Sequence, residues 1–211
     1  CRILKDKMAG TNGSESAAVD EAMQVMDEER KTKGLLFDDV TRLFGDAQFQ
    51  ARSMIGVFAR DVAPRKNPIG VEVSRRVRLT ETLVLTGTLD DLEEREVDDL
   101  KTGRISRPCA AQLGAYSLLE RKNQGVVEKV GRTFIQRVRI GKPQPRAETI
   151  IYPAEDAERV ALRVLGRVRQ DLSDFEATED PGAFLANPMS MFCSEKYCSA
   201  HGTEWCKEWR K

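Results

Sequence analysis

The chain has 211 residues, and its 34 Lys and Arg are balanced by 34 Asp and Glu, so the formal net charge is zero. Hydrophobic residues make up 40% of it, and with the glycines the apolar share approaches the globular norm of about 45–50%. These figures exclude a disordered tail, a collagen and an indiscriminately basic nucleic-acid coat, but not a local basic channel, because net charge is silent about distribution.

Five cysteines are too sparse for a disulfide framework. No apolar run reaches the roughly 18 residues that cross a bilayer, so no membrane partner is expected and the expected location is the cytoplasm. The chain opens on Cys1 rather than Met, which leaves open what precedes it.

Taken in chain order, residues 14 to 31 predict a helix whose Val19, Ala22, Met23 and Met26 share one face, with Ser14 or Ser16 as cap. A second helical stretch is expected from Leu35 to Val62, with a break near Gly45 and an end at Pro64. After Pro68 the period shortens. Val71, Val73, Val77 and Leu79 mark a strand, Leu83 to Leu92 a second and Glu96 to Lys101 a third, with a turn at Glu93–Arg95. A helix from Pro108 to Gly125 follows, then strands at Val130–Ile140 and Glu148–Tyr152. The clearest helix is 154 to 176, with Val160, Ala161, Val164, Leu165, Val168, Leu172 and Phe175 on one stripe. This order predicts an α/β (α+β) fold: a helical N-terminal lobe over 1–66, a core with a central mixed sheet flanked by helices over 67–178, and a cysteine-rich metal-binding tail over 179–211 packed on the same domain.

The most informative stretch runs from Gly87-Thr88-Leu89-Asp90, across eight residues, to Asp99-Leu100-Lys101-Thr102-Gly103. Carboxylates at the ends of paired strands can converge on a hard divalent cation such as Mg²⁺, which takes oxygen ligands and keeps waters. Residues two apart on a strand share a face, so Asp99 and Lys101 point together. The ammonium can then orient or help deprotonate a water and stabilise charge on a phosphate. Leu100 offers its backbone carbonyl to the ion and its side chain to the opposite, buried face. A lone D-x-K triplet also reads as an exposed hairpin with a solvated Lys–Asp pair; the spacing from Asp90 and the following helix single this one out.

GTLDD, then VDDLKTG, then Gln112, Leu113 and Tyr116 on the next helix resemble the RecB-like branch of the PD-(D/E)XK nuclease superfamily. The resemblance covers about residues 70 to 120 and implies a restriction-endonuclease-like core. It also implies a Mg²⁺- or Mn²⁺-dependent deoxyribonuclease. By it, Asp90 and Asp99 ligate the metal, Lys101 is the catalytic lysine, and Gln112 and Tyr116 line the site or hold the substrate backbone, with Glu72 as a further carboxylate nearby. That branch carries a metal-binding His on an early helix. Here the only His is His201, and the early helix reads Ser16-Ala17-Ala18-Val19-Asp20-Glu21-Ala22-Met23, so Asp20 occupies the slot as a replacement ligand.

Cys193, Cys198 and Cys206 crowd the tail. A subset of RecB-like nucleases, which includes the AddB nuclease, exonuclease V and CRISPR adaptation nucleases, holds a [4Fe–4S] cluster on one cysteine before the core and three after it. By that resemblance Cys1, Cys193, Cys198 and Cys206 are the ligands. The two gaps within this tail are longer than the usual ones. The rival reading is a structural Zn²⁺ on Cys193, Cys198, His201 and Cys206. Cys109 reads as an ordinary buried thiol.

Lys129, Arg132, Arg137, Arg139, Lys142 and Arg146 form a run of bases without an acid, and Arg75, Arg76 and Arg78 form a second group. Either can follow a phosphate backbone. The expected substrate is DNA, single-stranded or with free ends, cut by an exonuclease or end-processing enzyme in recombination, repair or CRISPR spacer acquisition; the expected protein partners are recombination, helicase or CRISPR adaptation proteins. The alternatives are a non-cutting nucleic-acid- or protein-binding module and the nuclease lobe of a helicase–nuclease complex.

Overall fold

The computed structural model describes residues 2–11, 13–33, 40–81, 83–106, 108–179, 195, 201–203 and 206. The helices are α1 (Arg2–Met8), α2 (Glu15–Lys33), α3 (Phe44–Val57), α4 (Ala110–Lys122) and α5 (Ala154–Thr178). The strands are β1 (Gly70–Arg78), β2 (Val84–Leu92), β3 (Glu96–Gly103), β4 (Lys129–Gln136) and β5 (Glu148–Pro153). The five strands form one sheet in the order β1-β2-β3-β4-β5. Only β3 and β4 run parallel, joined by the α4 crossover, and the other neighbours are antiparallel. The chain divides into two compact units, Cys1–Leu162 and Arg163–Lys211, and the sheet lies in the first.

The expected break at Gly45 is instead a helix start. The Asp46 carboxylate accepts the backbone N–H groups of Arg42 and Leu43 at 2.9 and 3.1 Å, which fixes the entry of α3 one residue before the glycine. The helix then loosens into a π-helical turn over Phe58–Val62 and a short 3₁₀ turn over Ala63–Arg65 containing Pro64. The short helix α1 carries too few residues for a periodic signal, yet Ile3 and Leu4 are buried on the sheet.

Each face of the sheet has its own apolar layer. On one, Leu89, Leu92, Val97, Leu113, Val127 and Val130 meet Ala154 and Ala157 of α5. On the other, Ile3, Leu4, Val57, Phe58, Val62 and Ala63 pack with Ile135, and Val71 and Leu100 lie against them. Leu89 and Leu92 fall in the same layer although three positions apart, so the strand's period of two breaks at Asp90-Asp91. Opposite the break, β1 bends as well: Glu72 has φ of +54°, a left-handed conformation that costs a non-glycine residue about 1–3 kcal/mol.

The α5 stripe divides. Ala154, Ala157 and Ala161 are buried, whereas Val160, Val164 and Val168 are 40–49% exposed. Small residues form the contact because α4 and α5 approach very closely. A Cβ added at Gly114 would lie 2.0 Å from the Ala157 carbonyl oxygen, a backbone atom that cannot yield. Gly114→Ala is therefore expected to lower the unfolding free energy by about 3 kcal/mol, at the upper end of overpacking costs. Urea denaturation checks this, and an unchanged midpoint would contradict the close helix approach.

Candidate active site

The strands β2 and β3 are paired only at Leu92↔Val97 and Asp91↔Asp98, next to their turn. Beyond Asp91 and Asp98 they part, whereas β3 stays paired with β4 from Glu96↔Lys129 to Gly103↔Gln136. The first residues past the fork are Asp90 and Asp99. Where the next ladder bond would fall, the Asp90 Oδ2 accepts the Leu100 backbone N–H at 2.9 Å. A side chain thus satisfies a backbone donor that the departing strand abandons.

Asp99 is fully buried, and Lys101 Nζ, on the same strand face, donates to its Oδ1 at 2.8 Å. Burial pushes the Asp99 carboxyl above the ordinary carboxylate range; the bond from Lys101 pulls it down, and the neighbouring Asp90 carboxylate raises it again. Burial works against the Lys101 ammonium, yet Asp99 and Asp90 hold its pKa above the usual lysine value. Leu100 turns its side chain to the opposite apolar layer, as the strand alternation requires.

The α4 crossover brings the remaining pieces. Gln112 Nε2 donates to the Tyr116 hydroxyl at 2.8 Å, one helical turn apart. Tyr116 lies within electrostatic range of Lys101, and its ring lies beside Gly87 of β2, where an added Cβ would sit 3.0 Å from the ring edge. Asp90, Asp99, Lys101, Gln112 and Tyr116 are thereby gathered around one end of the β2–β3 fork. Cys109, at the N-terminus of α4, packs against the core as a free thiol raised by burial, under the charges of Arg132, Asp99 and Lys101.

Other expected residues lie elsewhere. Asp20 is exposed on α2. A cleft of about 550 Å³ beside Leu100, Lys101 and Thr102 is lined from α2 by Ala18, Glu21, Ala22 and Val25, and Asp20 is not among its lining residues. Glu72 also borders this cleft and pairs with Lys5 of α1. Arg132 is 3% exposed and reaches Glu148 at 3.3 Å, so it is not a surface contact for a phosphate chain. It stands beside Asp99 in the parallel ladder, a placement that a single sequence does not reveal. Lys129, Arg139, Lys142 and Arg146 are exposed. Cys1, Cys193 and Cys198 lie outside the described residues; Cys206 is half-buried and forms no disulfide among them, and His201 is half-buried too.

A family model described as the PD-(D/E)XK nuclease superfamily matches residues 4–207. The chain belongs to this superfamily. Among solved structures, a chain named as a putative exonuclease from Eubacterium rectale is similar with a TM-score of 0.55 at 15% identity. The match covers 85% of this chain and 78% of that one, and it is a likeness of fold. No curated protein matches. For a PD-(D/E)XK superfamily member the donor set fits a divalent cation. Asp99 Oδ2 is buried without a hydrogen-bond donor among the described residues, beside the Asp90 carboxylate, and hard cations take such oxygens. No described helix is long and apolar enough to cross a membrane.

The Lys5 pair is the largest of the causes that hold the Glu72 carboxyl well below a carboxylate's ordinary 4.5. A depressed acid contributes stability that is present above its unfolded pKa and lost as pH falls through its folded one. Lys5→Met is expected to raise the Glu72 titration part of the way toward 4.5, as followed by NMR of its side chain; an unmoved titration would remove Lys5 as the leading cause.

Proposed function

We propose that the protein is a metal-dependent deoxyribonuclease of the RecB-like branch, acting on single strands or free ends as an exonuclease or end-processing enzyme. The observation that supports this most is the fork, where two carboxylates stand together past the last ladder pair with an ammonium bonded to one of them. A bound Mg²⁺ or Mn²⁺ supplies Lewis-acid activation of a water and neutralises charge on the scissile phosphate. Asp90 and Asp99 would hold it, with the Leu100 carbonyl as the further ligand on β3. Asp20, an exposed carboxylate on the neighbouring α2, is the expected substitute for the missing histidine.

The remaining steps belong to the chain's own groups. Lys101 is kept protonated by Asp99, so it is suited to orient the attacking water and to stabilise phosphate charge rather than to serve as a resting base. Gln112 fixes the Tyr116 hydroxyl, which lets this pair bind the substrate backbone in one orientation. The exposed Lys129, Arg139, Lys142 and Arg146 are available to the rest of the strand. The [4Fe–4S] cluster of this reading takes Cys1, Cys193, Cys198 and Cys206 as ligands. Such a centre points to recombination, repair or CRISPR spacer acquisition as the setting.

Labelled single-stranded DNA with Mn²⁺ is expected to be degraded by the wild type and protected by EDTA. Asp99→Ala or Lys101→Ala is expected to lower cleavage by at least about a hundredfold, the scale of a lost electrostatic stabiliser, with the fold retained by circular dichroism. Wild-type cleavage by either folded variant would sink the assignment, and a folded wild type that binds DNA without cutting it would favour the non-cutting module. For the tail, anaerobically purified protein is expected to be brown, with a visible band that bleaches on reduction. Colourless protein with one zinc per chain would replace the cluster by the Cys193, Cys198, His201 and Cys206 site.

A further inference from the structure

A second charged cluster lies directly behind the fork. Asp98 precedes Asp99 and so points to the other face of β3, where Asp91 is its cross-strand neighbour. Both are fully buried, and like charges opposed across a ladder repel, more strongly where water is excluded. Lys66 stands among them with its side chain 9% exposed. Its Nζ lies 3.1 Å from Asp98 Oδ2 and 3.4 Å from Asp91 Oδ2, with Glu93 at 3.4 Å and Glu96 at 3.6 Å. Burial opposes the ammonium, yet these carboxylates raise its pKa well above the lysine norm. Thr133 of β4 donates its hydroxyl to Asp98 Oδ2 at 2.7 Å. Gly131 leaves the space this carboxyl needs, since an added Cβ would lie 2.5 Å from Asp98 Oδ1. The segment carrying Lys66 is itself held by α1: Lys7 Nζ donates to the carbonyl oxygens of Ala63 at 3.0 Å, Pro64 at 3.3 Å and Lys66.

We propose that Lys66 is a positioning residue for the nuclease site: by clamping Asp91 to Asp98 at the last ladder pair, it fixes how far apart Asp90 and Asp99 stand. The proposal rests on the nuclease reading only where it concerns metal binding. Each clamped residue is the immediate chain neighbour of one carboxylate at the fork, and Lys66 is on a segment outside the sheet, so its pull on the two strands does not depend on their own pairing. Substrate never reaches Lys66, because it acts from the opposite face through the backbone.

The direct reporter is the Leu100 amide, which bonds to Asp90 across the fork and needs no metal. In Lys66→Met its hydrogen exchange is expected to rise at least tenfold relative to the Leu113 amide in α4, and Mn²⁺ affinity is expected to fall at least tenfold. Lys66→Arg, which keeps the charge, is expected to stay within about threefold of wild type on both. If Lys66→Met alone does not fold, the measurement moves to Lys66→Met/Asp91→Asn/Asp98→Asn. That variant removes the two aspartate charges together with the lysine, so neither aspartate is left as a buried charge without its cation, and the same loss at Leu100 is expected. Folded variants whose Leu100 exchange matches wild type, or rises only in step with Leu113, would overturn the clamp and leave Lys66 a purely structural ion. Wild-type protein that takes up no Mn²⁺ would instead overturn the metal reading of Asp90 and Asp99, and exchange at Leu100 would still decide the clamp.

Discussion

The bond from the Leu100 amide to the Asp90 carboxylate sits where a sheet stops being a sheet. Two antiparallel strands leave their turn, pair at two positions and separate, and the first donor left behind is satisfied by an acid instead of a carbonyl. That exchange turns Asp90 toward Asp99, breaks the side-chain alternation between Leu89 and Leu92, and coincides with the left-handed backbone at Glu72 on the neighbouring strand. Without the parting there would be no gap in which a third group could meet both acids. Without the substitute bond the parting would leave a half-buried donor unmet.

Net neutrality takes on a local meaning around β3. The adjacent Asp98 and Asp99 are both fully buried and face opposite ways, and each is met by a different lysine, Lys66 behind the sheet and Lys101 on the α4 side. Burying carboxylates is costly unless cations or donors accompany them. On neither side is that achieved in full by hydrogen bonds among the described residues. Behind the sheet, Lys66 is enclosed by four acids and Thr133 bonds one Asp98 oxygen, yet the other Asp98 oxygen and both Asp91 oxygens have no hydrogen-bond partner among the described residues; at the fork, one Asp99 oxygen is left in the same state. What separates them is access: the Lys66 side chain is 9% exposed and that of Lys101 40%, so the first arrangement suits a brace and the second a site open to ligands.

Much of this was legible in the sequence. The turn at Glu93–Arg95, the D-x-K alternation and the Gln112–Tyr116 turn of helix are local patterns, and their periods survive into the structure because neighbouring residues produce them. What escaped is long-range. Arg132 reads as one more base in a positive run, and only the parallel register puts it beside Asp99. Lys66 lies in a segment with no period, and nothing nearby in the chain announces its four carboxylates. The valines of α5 belong to a helical stripe, yet the tight crossing at Gly114 lets only the alanines through to the core.

The unequal pairing of β3 bears on the order in which the molecule takes shape during synthesis. Every side chain gathered at the fork is encoded before residue 117, but the long ladder that holds β3 straight is supplied by β4, beginning at Lys129. A nascent chain released only as far as α4 would present its acids on a hairpin tethered at two positions, with their burial incomplete. Pairing that closes across a crossover helix is slow relative to local hairpins and helices. The geometry at the fork therefore matures only after the ribosome has moved past its last contributing residue, so the young chain carries the parts of its chemistry before it has the shape to use them.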